Sequence, residues 1–152
     1  TGIDLAHAQL AVAAGDGLPR DGRADMRGHA IEFRINAEDP AADFRPGPGR
    51  VSRFRPPLGP GVRVDTHMEE GYAIPPFYDS LIAKVIVWGE DREVAIARGR
   101  RALSELELEG VPTTRELALD IVSSAEFGGG DYTTSFLADA APSLESLRGG
   151  AA

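Results

Sequence analysis

The chain has 152 residues, 42% hydrophobic and 26% charged, which suits one domain with a core of its own. Its 24 acidic and 16 basic side chains give a net charge of -8, which repels phosphate backbones and anionic headgroups and argues against nucleic-acid and membrane-surface partners. The absence of cysteine excludes disulfides, thiolate nucleophiles and cysteine zinc sites. No stretch reads as a signal peptide or approaches the roughly 20 apolar residues of a membrane helix, so a cytoplasmic placement is expected.

The opening Thr1-Gly2-Ile3-Asp4-Leu5 lacks an initiator Met and reads as part of a longer protein. Residues 3–14 read as a helix with Ile3, Ala6, Leu10 and Ala13 on one face, stopped by Gly15. Residues 29–36 read as a strand, because Ile31, Phe33 and Ile35 alternate with Glu32, Arg34 and Asn36. From Pro40 to Gly61 prolines and glycines leave room only for short strands, at 51–55 and, just beyond, at 62–66. Leu81 to Trp88 is apolar on both sides apart from Lys84, the pattern of a strand covered on both faces.

The period then becomes helical. Asp91 is placed to cap a helix whose Ile96, Leu103 and Leu106 share a face. Thr113-x-x-Glu116 after Pro112 has the form of a capping box, and Gly128-Gly129-Gly130 is expected to break the helix that follows. A short helical piece is expected near Ser135–Ala140, with a mobile tail over 141–152. Strands in the middle and helices around them, without βαβ alternation, make an α+β domain over residues 1–140: a strand-rich central sheet flanked by helices.

Glycine-rich nucleotide loops and the common hydrolase and metalloprotease patterns are absent, and His7, His29 and His67 have no metal-ligand spacing. No metal site is expected in this chain. Two segments carry dense polar groups on or beside a strand: Arg27 to Pro40, and Gly71 to Lys84. The strand alternation alone puts Arg34 on the face opposite Ile31, Phe33 and Ile35, free to point into a cleft. Lys84 reads either as a functional cation or as an ion-paired or snorkelling lysine.

These segments, R-G-H-A-I-E-x-R-I-N-A-E-D-P and G-Y-x-I-P-P-x-Y-D-S-L-I-x-K, resemble the two most characteristic stretches of the biotin carboxylase C-terminal domain. The Thr1–Leu5 opening, the Pro48-Gly49 turn and the helix from Asp91 match in order, so the resemblance covers roughly residues 1–140. It implies part of an enzyme that carboxylates protein-bound biotin with bicarbonate and ATP. That step is the first half-reaction of acetyl-CoA or acyl-CoA carboxylation.

In such an enzyme, deprotonating the ureido nitrogen of biotin leaves charge on its oxygen, and a fixed cation there stabilises charge that grows in the transition state. By the resemblance that catalytic and substrate-binding cation is Arg34, whose guanidinium stays charged and offers rigid donors. Asp79 is expected as a second substrate-site residue that pairs with Arg34. Glu32, Asn36 and Tyr78 are expected to orient the site. Arg63 and Leu58, in a loop similar to a family contact segment, are expected at a homodimer interface.

Biotin would arrive on a carrier protein or domain. ATP and Mg or Mn would be bound by an upstream ATP-grasp domain, so this chain alone is expected to be inactive. Tyr132-Thr133-Thr134-Ser135 is similar to a segment bordering adenine, or is a loop into the last helix. The His67–Pro76 stretch looks more like the acyl-CoA branch than the pyruvate or urea carboxylases. A non-catalytic interaction module on the same scaffold is the reading from a different class.

Overall fold

The alternation of residues 29–36 builds the edge of a three-stranded antiparallel sheet in the computed structural model, which describes residues 1–18, 23–140 and 143–147. In chain order come α1 (Leu5–Ala13), β1 (His29–Asn36), β2 (Glu38–Asp39), β3 (Arg45–Pro46), β4 (Gly49–Arg50), β5 (Arg53–Arg55), β6 (Val62–Thr66) and β7 (Ala73–Ile74). Then follow β8 (Leu81–Gly89), α2 (Arg92–Glu105), β9 (Glu107–Glu109), α3 (Arg115–Ser123), α4 (Ala125–Gly129) and α5 (Phe136–Ala140). The main sheet has the order β1-β8-β6, and the pairs β2–β3, β4–β7 and β5–β9 surround it. This is the α+β arrangement expected from the sequence.

Register decides the two faces of the main sheet. Ile31, Val87 and Val62 stand in one row, then Phe33, Val85 and Val64, then Ile35, Ala83 and Thr66. On this side Phe33, Ile35, Ala83, Val85 and Val87 are buried. Helix α2 covers them with Ala95, Ile96, Ala102 and Leu103. Each fully buried Val, Leu or Ile stabilises by about 1.5–3 kcal/mol, so this face dominates the fold. Gly99 lets α2 come close, because a Cβ there would lie 2.6 Å from the Phe33 ring.

Asp91 caps α2 as expected, accepting from the Val94 N–H at 2.8 Å. Several other expectations change. The strand read at 51–55 shortens to Arg53–Arg55, which pairs with β9; Gly49–Arg50 before it pairs with β7, and Val51 is buried between them. β8 is covered fully on one side only. On its other side Ile86 is half-buried and Trp88 is exposed, its indole N–H donating to the Arg27 carbonyl at 2.9 Å.

Among the described residues no side chain of α1 is buried, and Leu10 on its apolar face is 72% exposed. The glycine triplet does not end α3. Ser124 does, and its hydroxyl accepts from Phe127 N–H to start α4, which Gly130 closes in the left-handed region. Residues 143–147, assigned to the tail, dock on α3: Leu144 is buried and the Ser146 N–H donates to the Asp120 carboxylate at 2.9 Å. The rest of that segment lies outside the described residues.

Contact geometry sets the expected effect of two glycine substitutions. A Cβ on Gly89 would lie 2.4 Å from the Ala95 nitrogen and 2.9 Å from the Asp91 carbonyl oxygen, both backbone atoms. Gly89→Ala is expected to lower the unfolding free energy by about 1–3 kcal/mol, measured by urea denaturation. Gly128→Ala has nothing within 4 Å of its new carbon, so stability should hold or rise by up to about 1 kcal/mol. In the β5–β9 pair, the hydrogen bond from Arg53 Nε at 2.7 Å is the main cause holding the Glu107 carboxyl below the usual glutamate range. A depressed acid stabilises above the ordinary glutamate value, and that contribution is lost as pH falls through its own folded value. Arg53→Gln should therefore move the Glu107 carboxyl titration upward in an NMR pH series.

Candidate functional site

The open face of the main sheet carries the charge. Arg34 of β1 stands opposite Lys84 of β8, which stands opposite Asp65 of β6; beside them run Glu32, Ile86 and Arg63. Strand alternation gives this result directly: the buried Phe33 and Ile35 force Arg34 between them to the other side. The Arg34 side chain is 54% exposed, and its ion-pair partner among the described residues is Glu32, with Nη1 to Oε1 at 3.8 Å. A pair this long and this exposed contributes little stability, so the guanidinium donors stay available to another acceptor.

The end of β1 is joined to the Tyr78-Asp79-Ser80 turn. The ladder shifts register between Ile35 and Asn36, a bulge of the kind that re-aims side chains. Beyond it, the Ala37 N–H donates to the Ser80 carbonyl at 2.8 Å. Glu38 Oε1 accepts from Asn36 Nδ2 at 3.3 Å and also from the Ser80 hydroxyl. One carboxylate thus ties the two sequence motifs together. Asn36 Oδ1 is buried and has no hydrogen-bond partner, which leaves an acceptor in the site.

A cavity of about 210 Å³ opens here, with Arg34, Asn36, Glu38 and Thr114 on its polar side and Phe44, Leu117, Ala118 and Ile121 on its apolar side. Phe44 reaches it with φ 55°, in the left-handed region that a bulky residue rarely adopts.

Asp79 does not reach Arg34. Its carboxylate accepts from the Leu81 N–H at 2.7 Å and shapes the entry into β8. The pairing expected between Asp79 and Arg34 is therefore replaced by the Glu32 contact. Phe77 and Tyr78 project from the same turn, 87% and 83% exposed. Lys84, half-buried, lines a separate open cavity of about 340 Å³ with Asp65 and His67.

Arg63 is exposed and pairs with Asp65 at 3.0 Å, and Leu58 is 76% exposed on its loop. Tyr132 is drawn into an aromatic stack, 5.3 Å from the Phe127 ring and 6.0 Å from Phe136. Among the described residues no cluster of His, Cys, Asp or Glu is arranged to hold a metal ion, and no helix is long and apolar enough to cross a membrane.

Sequence reasoning missed Thr114. The Thr113-x-x-Glu116 pattern does not form a capping box. Thr114 is the N-cap residue, without a side-chain cap bond, while Glu116 pairs with Arg115. The Thr114 hydroxyl bonds to β1 instead. The signal available in the sequence was the doubled threonine, which offers one hydroxyl more than the helix start requires.

A family model of the biotin carboxylase C-terminal domain matches residues 32–139. The chain is 51% identical over 138 residues to a biotin carboxylase of Nostoc sp., covering 90% of this chain and 31% of that protein. It is 49% identical to one of the pyruvate carboxylase subunits of Methanothermobacter thermautotrophicus, covering 90% of this chain and 28% of that one. Among solved structures, the biotin carboxylase domain dimer of Hydrogenobacter thermophilus 2-oxoglutarate carboxylase, in complex with MgADP, ADP and bicarbonate, superposes with a TM-score of 0.90. That match has 42% identity and covers 95% of this chain and 32% of that one. The chain thus spans less than a third of the length of these relatives.

The link through Glu38 is open to test. Glu38→Ala removes the acceptor of two donors, and a hydrogen bond to a charged group contributes about 1.5–3 kcal/mol. Amide exchange at Ala37 is expected to accelerate about tenfold or more, while that at Val85 in the sheet centre stays slow.

Proposed function

Because the chain belongs to the biotin carboxylase C-terminal domain family, we propose that it forms the C-terminal part of an ATP-dependent biotin carboxylase that carboxylates protein-bound biotin with bicarbonate. The observation that carries this reading is the Arg34 guanidinium, half-exposed beside a cavity with one apolar wall and held only loosely by Glu32. Biotin offers an apolar ring system with a polar ureido group, and those two surfaces suit the two sides of the cavity. Arg34 donates to the ureido oxygen and stabilises the negative charge that grows there as the neighbouring nitrogen loses its proton. Asn36 and Glu38 hold the strand end, Glu32 orients the guanidinium, and Asp79 and Tyr78 belong to the turn that Glu38 ties to that end through Ser80.

ATP and its Mg or Mn belong to an ATP-grasp region elsewhere in the longer protein, as does the base that removes the ureido proton. On this reading the chain by itself has no biotin carboxylation activity. The full enzyme receives biotin on a carrier protein or domain. It pairs as a homodimer, as the 2-oxoglutarate carboxylase domain does, with the exposed Arg63 and Leu58 at the contact.

The His67–Pro76 stretch favours the acyl-CoA branch. The pyruvate carboxylase relative at 49% identity supports the other branch almost equally. The physical reason is that this half-reaction handles biotin and never meets the final acceptor.

In the complete carboxylase, Arg34→Gln is expected to lower kcat for biotin carboxylation by about 100-fold or more, with KM for ATP little changed. Near-normal kcat in that variant would remove the arginine from the mechanism.

A further inference from the structure

An edge strand leaves the N–H and C=O of every second residue without a ladder partner. β1 is such a strand. At its functional end the odd residue Ala37 bonds toward β8, through Ser80, so the groups facing outward belong to Arg34 and Asn36. The bulge between Ile35 and Asn36 weakens the ladder at the same place. Without a further partner, the backbone that carries Arg34 would be held from one side only.

Thr114 fills the open side. Its N–H donates to the Asn36 carbonyl at 3.1 Å. Its hydroxyl accepts from the Asn36 N–H at 3.0 Å and donates to the Arg34 carbonyl at 3.3 Å. Three backbone groups of the edge are satisfied by one residue. Thr114 is 8% exposed and is the one buried polar residue among the described residues. A threonine at a helix start ordinarily accepts from an amide of the first turn, and this one makes no such bond. Its hydroxyl serves a strand 78 positions away instead.

We infer that Thr114 is a positioning residue for Arg34: by closing the outer edge of β1 it holds the peptide groups of Arg34 and Asn36 in one conformation, so that the guanidinium meets the cavity at a fixed place. The inference rests on the reading of Arg34 as the cation for the biotin oxygen. Thr114 itself touches no reacting atom and acts through the backbone. Thr114→Val keeps the shape but strands the Asn36 N–H and the Arg34 carbonyl, whereas Thr114→Ser keeps the hydroxyl.

The test is a mutant cycle in the complete carboxylase, following kcat for biotin carboxylation and KM for ATP. Thr114→Val is expected to lower kcat about tenfold, since small displacements of a catalytic group are costly, with KM for ATP unchanged. Thr114→Ser should stay within about twofold of the parent. In the Arg34→Gln background, adding Thr114→Val should change kcat less than about twofold, because the two act as one unit.

A normal kcat in Thr114→Val beside a strongly impaired Arg34→Gln would overturn the role of Thr114 alone. The same tenfold loss in both backgrounds would also overturn it, by assigning Thr114 a general structural role. A normal kcat in Arg34→Gln would instead overturn the reading underneath. If the valine variant does not fold, amide exchange in the unmutated chain decides: Asn36 must exchange as slowly as the sheet interior, and rapid exchange there would sink the inference.

Discussion

Antiparallel pairing of β1 on β8 sets where every group of the site can be. In this register Phe33 and Ile35 face α2 while Glu32, Arg34 and Asn36 face outward. A slip of one residue would exchange the two faces, burying a guanidinium and two other polar side chains and exposing a phenylalanine and two isoleucines. An unpaired charge in the core costs several kcal/mol, so the hydrophobic set and the exposed arginine enforce the same alignment. Gly99 belongs to this constraint, because α2 lies close enough to Phe33 that a larger residue would push the two apart.

The end of that strand is where regular structure gives way. A bulge after Ile35 turns the chain, Glu38 ties it to Ser80, and the Asp79 carboxylate shapes the start of β8. Polar groups that would be dispersed along two loops are thereby gathered at one end of the sheet. Glu32 contacts the guanidinium only at 3.8 Å, while the backbone that carries it is closely bonded through Thr114.

Part of the apolar surface stays open among the described residues. Leu10 and Trp88 are exposed, although their sequence patterns are those of residues meant to be covered. The chain spans 31% of the length of a relative to which it is 51% identical over 138 residues. Identity reaches 51% and 49% to enzymes named for different carboxylations, so the sequence does not separate those branches.

Alternation in residues 29–36, the Asp91 cap and the buried stripe of α2 were legible in the sequence, because periodicity and capping act between residues a few positions apart. The long motifs around Arg34 and Tyr78-Asp79 were equally legible as a family signature. Besides the limits of the strand at 51–55, the end of α3 and the place of residues 143–147, four features were misread: the partner of Asp79, the partly open second face of β8, the uncovered α1 and the use of Thr114. Each depends on what lies across space. Glu32 and Asp79 compete for nothing in the sequence, and only the path of the turn directs Asp79 to Leu81 rather than to Arg34. Thr113-x-x-Glu116 had a local use for a hydroxyl, but an edge strand 78 residues earlier presented an unpaired N–H and carbonyl to Thr114. Sequence by itself determined which side chains face the core and which carry charge; tertiary structure decided which of those charges and hydroxyls meet, because unsatisfied backbone groups take whatever donor or acceptor the fold brings within reach.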